Sequence, residues 1–118
     1  MPYRLERVNS LIRREISELL QRQVKDPRLS NFVTATEVST SPDFKHAKVY
    51  ISFIGSDEER ENTLNVLSSA SGYFRRELAE HLKLRRIPEL KFLWDDSIER
   101  ADHLLRLIDQ VNLEQDGT

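Results

Sequence analysis

The stretch SSASGYFRREL, residues 68–78, decides how the rest of the chain is read. It interrupts a segment that otherwise scans as one helix. Gly72 inside a helix costs about 1 kcal/mol relative to Ala, so the run Ser68-Ser69-Ala70-Ser71-Gly72 asks for a reason. Two are open. A neighbouring element could pack very close to these small residues, or the chain could bend so that a ligand approaches its backbone. Arg75 and Arg76 follow within a turn, which suits the second reading without excluding the first.

Working outward, Leu64 and Leu67 precede the break, and Phe74, Leu78 and Leu82 follow it at a spacing of four. Both sides therefore predict amphipathic helix, the second running from Tyr73 to Leu82. Ser56 reads as the N-cap of the first half, with Asp57, Glu58 and Glu59 at its positive end. Upstream of Gly55, AKVYISFI places Ala47, Val49, Ile51 and Phe53 on one face and Lys48, Tyr50 and Ser52 on the other, which predicts a strand. The turn TSPDFKH links it to Phe32–Ser39, a Val/Thr-rich segment that predicts an antiparallel partner. Residues 4–24 carry Leu5, Val8, Ile12, Ile16, Leu19 and Val24 on one face of a helix that ends before Lys25-Asp26-Pro27-Arg28.

Downstream, Ile87-Pro88-Glu89 punctuates the chain, and Leu90, Phe92 and Trp94 alternate as a third strand with Trp94 reading as core. Asp96 and Ser97 can cap a last helix to about Val111, with Ala101, Leu104, Leu105 and Ile108 expected inward. The order is α–β–β–α–kink–α–β–α. The expected fold class is α+β, a three-stranded sheet with helices on one face.

Composition narrows the chemistry. The 118 residues suffice for one ordinary core. Cysteine is absent, which excludes disulfides, a thiol nucleophile and a Cys-ligated metal. No apolar run approaches membrane-spanning length and the amino terminus lacks a signal-like apolar core, so a cytoplasmic protein is expected. The formal net charge is −2, but the charge is polarised. Basic residues crowd the first helix and Arg75, Arg76, Lys83, Arg85 and Arg86, while acidic ones crowd 57–61 and the segment after Asp95. Such a surface can bind phosphate on one side; it can also be a set of solvated helix faces. His46, His81 and His103 are scattered without ligand spacing, and Asp95-Asp96 sits where a helix cap is needed. No catalytic residue, metal site or cofactor is expected.

Strand–strand–helix–break–helix–strand is the skeleton of a KH domain, where single-stranded nucleic acid lies along a groove and a GxxG loop meets its backbone. Here Ala70-Ser71-Gly72 occupies that place. Together with KDPRL, VTATEVSTSPDFKHAKVYIS, LSSASGYFRREL and LKLRRIPELKFLWDDSIERADHLLRLI, in that order over residues 3–111, it resembles the bacterial ribosome-binding factor A family. The resemblance implies a single-domain type II KH-like fold in which an Ala-x-Gly element replaces GxxG. Residues 1–112 are expected to be the KH-like ribosome-binding domain, and 113–118, LEQDGT at the chain end, a flexible tail. The resemblance further implies a non-enzymatic assembly factor, expected to be a monomer. Such a factor binds free 30S or pre-30S subunits and 16S rRNA, and assists late maturation and 5′-end processing.

With that resemblance, rRNA phosphates are expected at Arg75, Arg76, Lys83, Arg85 and Arg86, beside the backbone at Ala70, Ser71 and Gly72. Arg13, Arg14 and Arg28 are secondary candidates. Tyr73 could stack on a base or belong partly to the core. Two other readings stay open: a KH-like module for other single-stranded RNA, and an adaptor that binds protein through its apolar helix faces.

Overall fold

The computed structural model describes residues 2–22 and 33–116. The first helix, α1 (Pro2–Arg22), opens with proline at its first position, where a missing N–H costs nothing. Its stripe is buried: Ile12 and Ile16 are fully inaccessible, and Val8 and Leu19 nearly so. The expected extension to Val24, the Lys25–Arg28 turn and Phe32 lie outside the described residues.

Strands β1 (Thr34–Thr40) and β2 (His46–Ser52) form the antiparallel hairpin that the alternation predicts, and β3 (Glu89–Trp94) lies parallel to β2, giving the order β1-β2-β3. On β2 the buried set is Ala47, Val49 and Ile51, continued by Phe53, as period-2 patterning requires. The β1–β2 register shifts between Ala35 and Glu37. Such a bulge re-aims a side chain, and here the Thr36 hydroxyl donates to Asp95 Oδ2 at 2.6 Å. Two α1 side chains tie the helix to the edge of β1: Asn9 Oδ1 accepts the Thr40 amide at 2.9 Å, and the Ser17 hydroxyl reaches Ala35 O at 3.4 Å.

The parallel β2–β3 pair needs a long crossover, supplied by α2 (Asp57–Ser69) and α3 (Ser71–His81). Helix α2 begins with a reciprocal capping box, Ser56 Oγ accepting from the Glu59 amide and Glu59 Oε1 accepting from the Ser56 amide. Leu67, Phe74 and Leu78, all fully buried, carry the crossover onto the sheet, with Phe74 and Phe92 ring centroids 5.3 Å apart. The α+β, KH-like architecture is therefore present, with α1, α2 and α3 on one face of the sheet.

The last helix departs from expectation. α4 (Ser97–Asp116) starts where predicted but continues past the expected end near Val111 to Asp116, into residues read as a tail, and Ala101, Leu104, Leu105 and Ile108 are not inward. Leu104, Leu105 and Ile108 are 57%, 60% and 46% exposed. Among the described residues, the polar contacts between α4 and the rest of the fold gather at its root. Arg60 lies 4.2 Å above the Trp94 ring and reaches Glu99 at 3.0 Å, the Trp94 indole N–H points to Glu99 at 3.4 Å, and the Ser97 amide donates to Asp95. The physical reason is plain. A 3.6-residue apolar period specifies a helix with a stripe, not the surface that covers it. The helices over the sheet already fill the inner layer with Ile12, Ile16, Leu67, Phe74 and Leu78.

Candidate nucleic-acid interface

The break lies at Ala70, where φ −93° and ψ 6° interrupt the helical run between Ser69 and Ser71. Just upstream, the Ser69 hydroxyl donates to Asn65 O at 3.0 Å, a back-bond that bends helices. No side chain caps the start of α3. Gly72 is exposed and has a negative φ, and a Cβ built on it would meet nothing within 4 Å. Close packing of a neighbouring element therefore does not explain Gly72. The space over its backbone is open.

The basic residues separate along α3. Eleven residues at 1.5 Å rise make this helix about 16 Å long, so Ala70-Ser71-Gly72 stands at one end and Lys83, Arg85 and Arg86 beyond the other. Arg75 and Arg76 are both exposed between them. The Arg75 guanidinium donates to Ile87 O at 3.2 Å and so leans toward the loop entering β3. Tyr73 is half-buried edge-on to Phe74, with centroids 5.6 Å apart, and belongs partly to the core. Burial and the nearby Glu77 carboxylate push its phenol above the ordinary value. Trp94, half-buried edge-on to Phe53, belongs with the core as expected.

Lys83, Arg85 and Arg86 come together around an open cleft of about 600 Å³ that Arg4, Val8, Asp43, Phe44 and Leu84 also line. Arg4 comes from the first turn of α1, and Asp43 and Phe44 from the β1–β2 turn, so three distant segments meet here. No ion pair or hydrogen bond among the described residues engages Arg4, Lys83, Arg85 or Arg86. Arg14, Arg60, Arg100 and Arg106, by contrast, each meet a carboxylate within 4 Å. Arg4, Asp43 and Phe44 were not among the residues expected from sequence. Only the fold brings them beside the α3–β3 loop, although the basic character of the first helix was the available signal for Arg4. Of the secondary candidates, Arg13 and Arg14 are exposed on α1 outside this cleft, and Arg28 lies outside the described residues.

One histidine is less isolated than its spacing suggests. The only group of potential metal ligands among the described residues is Glu77, Glu80 and His81. His81 Nδ1 lies 2.7 Å from Glu15 and 3.8 Å from Glu77. This links α1 to α3. The spacing of Glu77 and His81, i and i+4 on one helix face, was visible in the sequence; Glu15 was not.

The family model described as ribosome-binding factor A matches residues 4–108. A ribosome-binding factor A of Dictyoglomus thermophilum is 47% identical over 116 residues, covering 98% of this chain and 97% of its own. The crystal structure of ribosome-binding factor A from Thermus thermophilus superposes with a TM-score of 0.68 at 29% identity, over 76% of this chain and 93% of that one. A Thermus thermophilus ribosome-binding factor A homology model, fitted into a cryo-EM map of its 30S complex, aligns at a TM-score of 0.62 and 29% identity, over 75% of this chain and 91% of that one.

Proposed function

The chain belongs to the ribosome-binding factor A family, and on that premise we propose that it binds free 30S or pre-30S subunits through 16S rRNA. In this reading it assists late small-subunit maturation and 5′-end processing without cleaving RNA itself, in the cytoplasm and with no cofactor. One observation carries the reading: four cations from distant segments converge on one open cleft where, among the described residues, none of them is held in an ion pair and the single acid of the lining, Asp43, leaves the site with an excess of positive charge. Unpaired clustered cations suit a polyanion.

Arg75 and Arg76 extend the charge along α3 toward the open backbone at Gly72, so the interface is a track, not a point. Phosphates along such a track fix orientation and supply salt-dependent affinity, with little base discrimination of their own. Residues 1–112 would act as the binding unit. Function requires only differential affinity. A factor that prefers an rRNA arrangement found in the precursor shifts folding toward it and leaves when the mature surface no longer fits.

The test is gradient co-sedimentation with separated ribosomal particles at rising salt. Wild type is expected to travel with free small subunits and to be released by salt. Arg85→Glu with Arg86→Glu should remain folded and stay at the top of the gradient. Unaltered migration of that folded variant would remove the cleft from the interaction. A second reading, an adaptor that binds protein through an apolar face, draws support from the exposed stripe of α4. It predicts co-sedimentation indifferent to salt and to Arg85 and Arg86.

A further inference from the structure

The cleft holds more than cations. Its lining also includes the half-buried ring of Phe44, the aliphatic Val8 and Leu84, and the carboxylate of Asp43. A patch that only attracted phosphate would have no use for an aromatic ring or a carboxylate among its four positive charges. We propose that this cleft is a nucleotide pocket. In it Phe44 stacks on one base splayed out of single-stranded RNA, Asp43 accepts a hydrogen bond from the amino edge of that base, and Arg4, Lys83, Arg85 and Arg86 hold the flanking phosphates. This rests on the RNA-binding reading above and assigns it a base-reading residue.

Three features of the site support the assignment. The volume of about 600 Å³ lies in the range of pockets that enclose a small organic ligand. Stacking of unpaired bases on aromatic side chains, with hydrogen bonds to their exposed edges, is the usual means of sequence-selective RNA recognition. Phe44 is also the one non-glycine residue with positive φ among those described, at 61°. A bulky side chain is strained in that region, and such strain collects at ligand clamps where the surroundings hold it in place. Here the holding is visible: the Phe44 amide donates to Ser41 O at 2.9 Å, the Ser41 amide donates to His46 O at 2.8 Å, and the ring packs against the core edge.

Asp43 is prepared as an acceptor. Its Oδ1 takes the Ser41 hydroxyl at 2.6 Å and the Lys45 amide at 3.0 Å, while Oδ2 has no partner among the described residues. The same hydrogen bonds hold the carboxyl below its ordinary range, so it stays ionised. An ionised carboxylate favours the exocyclic amino groups of adenine, cytosine or guanine. It disfavours uracil, whose single ring N–H is flanked by two carbonyl oxygens.

The experiment is a fluorescence titration of the full chain with the oligoribonucleotides A6 and U6, run beside the particle gradient. Wild type should bind A6 roughly ten-fold more tightly than U6, within the span of one lost charge-assisted hydrogen bond. Phe44→Leu keeps the apolar bulk that seats the turn but removes the π-face. It should lose roughly ten-fold in A6 affinity while keeping the slope of affinity against salt. Asp43→Asn should erase the A6 preference, and Phe44→Trp should retain binding. Equal affinity of wild type and Phe44→Leu for A6, or an A6 preference that survives Asp43→Asn, overturns the pocket. Failure is separable from failure of the ribosomal reading: a chain that travels with small subunits yet ignores Phe44→Leu keeps that reading and loses this one. A chain that binds A6 through Phe44 but ignores small subunits does the reverse.

Discussion

Helices α1 and α4 are nearly the same object in sequence, 21 and 20 residues long with an aliphatic stripe at helical spacing. In the folded chain they are opposites. Ile12 of α1 is 0% exposed, whereas Ile108 of α4 is 46% exposed. The first stripe lies under the sheet with Asn9 and Ser17 reaching across to β1. The second faces solvent beyond a fastened root. Period and polarity thus state how a segment coils and which side is greasy. Whether that side is covered depends on inner-layer space, which other segments contest.

Identical chemistry applied to the two helices is the sharpest probe of that contrast. Ile12→Ala should destabilise the fold by about 2–5 kcal/mol, since it removes buried methylenes and leaves a cavity; urea unfolding gives the value. Next comes Asn9→Ala, which strips the buried-edge Thr40 amide of its acceptor and should cost about 1–3 kcal/mol by the same measurement. Ile108→Ala should change stability by less than about 0.5 kcal/mol. A loss above 1 kcal/mol there would break the comparison, because it would mean that α4 is covered in solution.

The smallest effect concerns the fastening itself. Asp95 accepts the Thr36 hydroxyl and the Ser97 amide, which hold its carboxyl below the ordinary range despite slight burial. Its contribution to stability is therefore complete above the ordinary carboxylate value and lost as pH falls through the depressed one. Thr36→Val should move the Asp95 titration midpoint upward in a carboxyl NMR titration, since the first of those bonds is removed. An unmoved midpoint would detach the bulge from the root of α4.

Much of this was legible beforehand. The alternation of Ala47, Val49 and Ile51, the capping signal at Ser56 and the break at Ala70 are local patterns, and each formed where the pattern placed it. The cleft was half legible. Lys83, Arg85 and Arg86 are adjacent in sequence, but Arg4 and Phe44 reach them only through the register of β1 with β2 and the seating of α1. Thr36 illustrates the same limit. Nothing local marks it as the extra residue of a bulge, and its partner Asp95 is 59 positions away. Non-local pairing of this kind is set by packing, which single-residue preferences do not encode.

The elbow where α4 leaves the sheet has a spectroscopic consequence. Trp94 is the sole tryptophan of the chain, and it sits at that elbow with a guanidinium over its ring and a carboxylate at its indole N–H. Emission excited at the red edge of the indole band, where the three tyrosines do not absorb, therefore comes from one address. Its wavelength and its quenching by neighbouring charge report the seating of the helix root, while the core around Ile12 and Phe74 stays dark. The protein carries its own unlabelled gauge for whether the α4 arm shifts when a partner arrives.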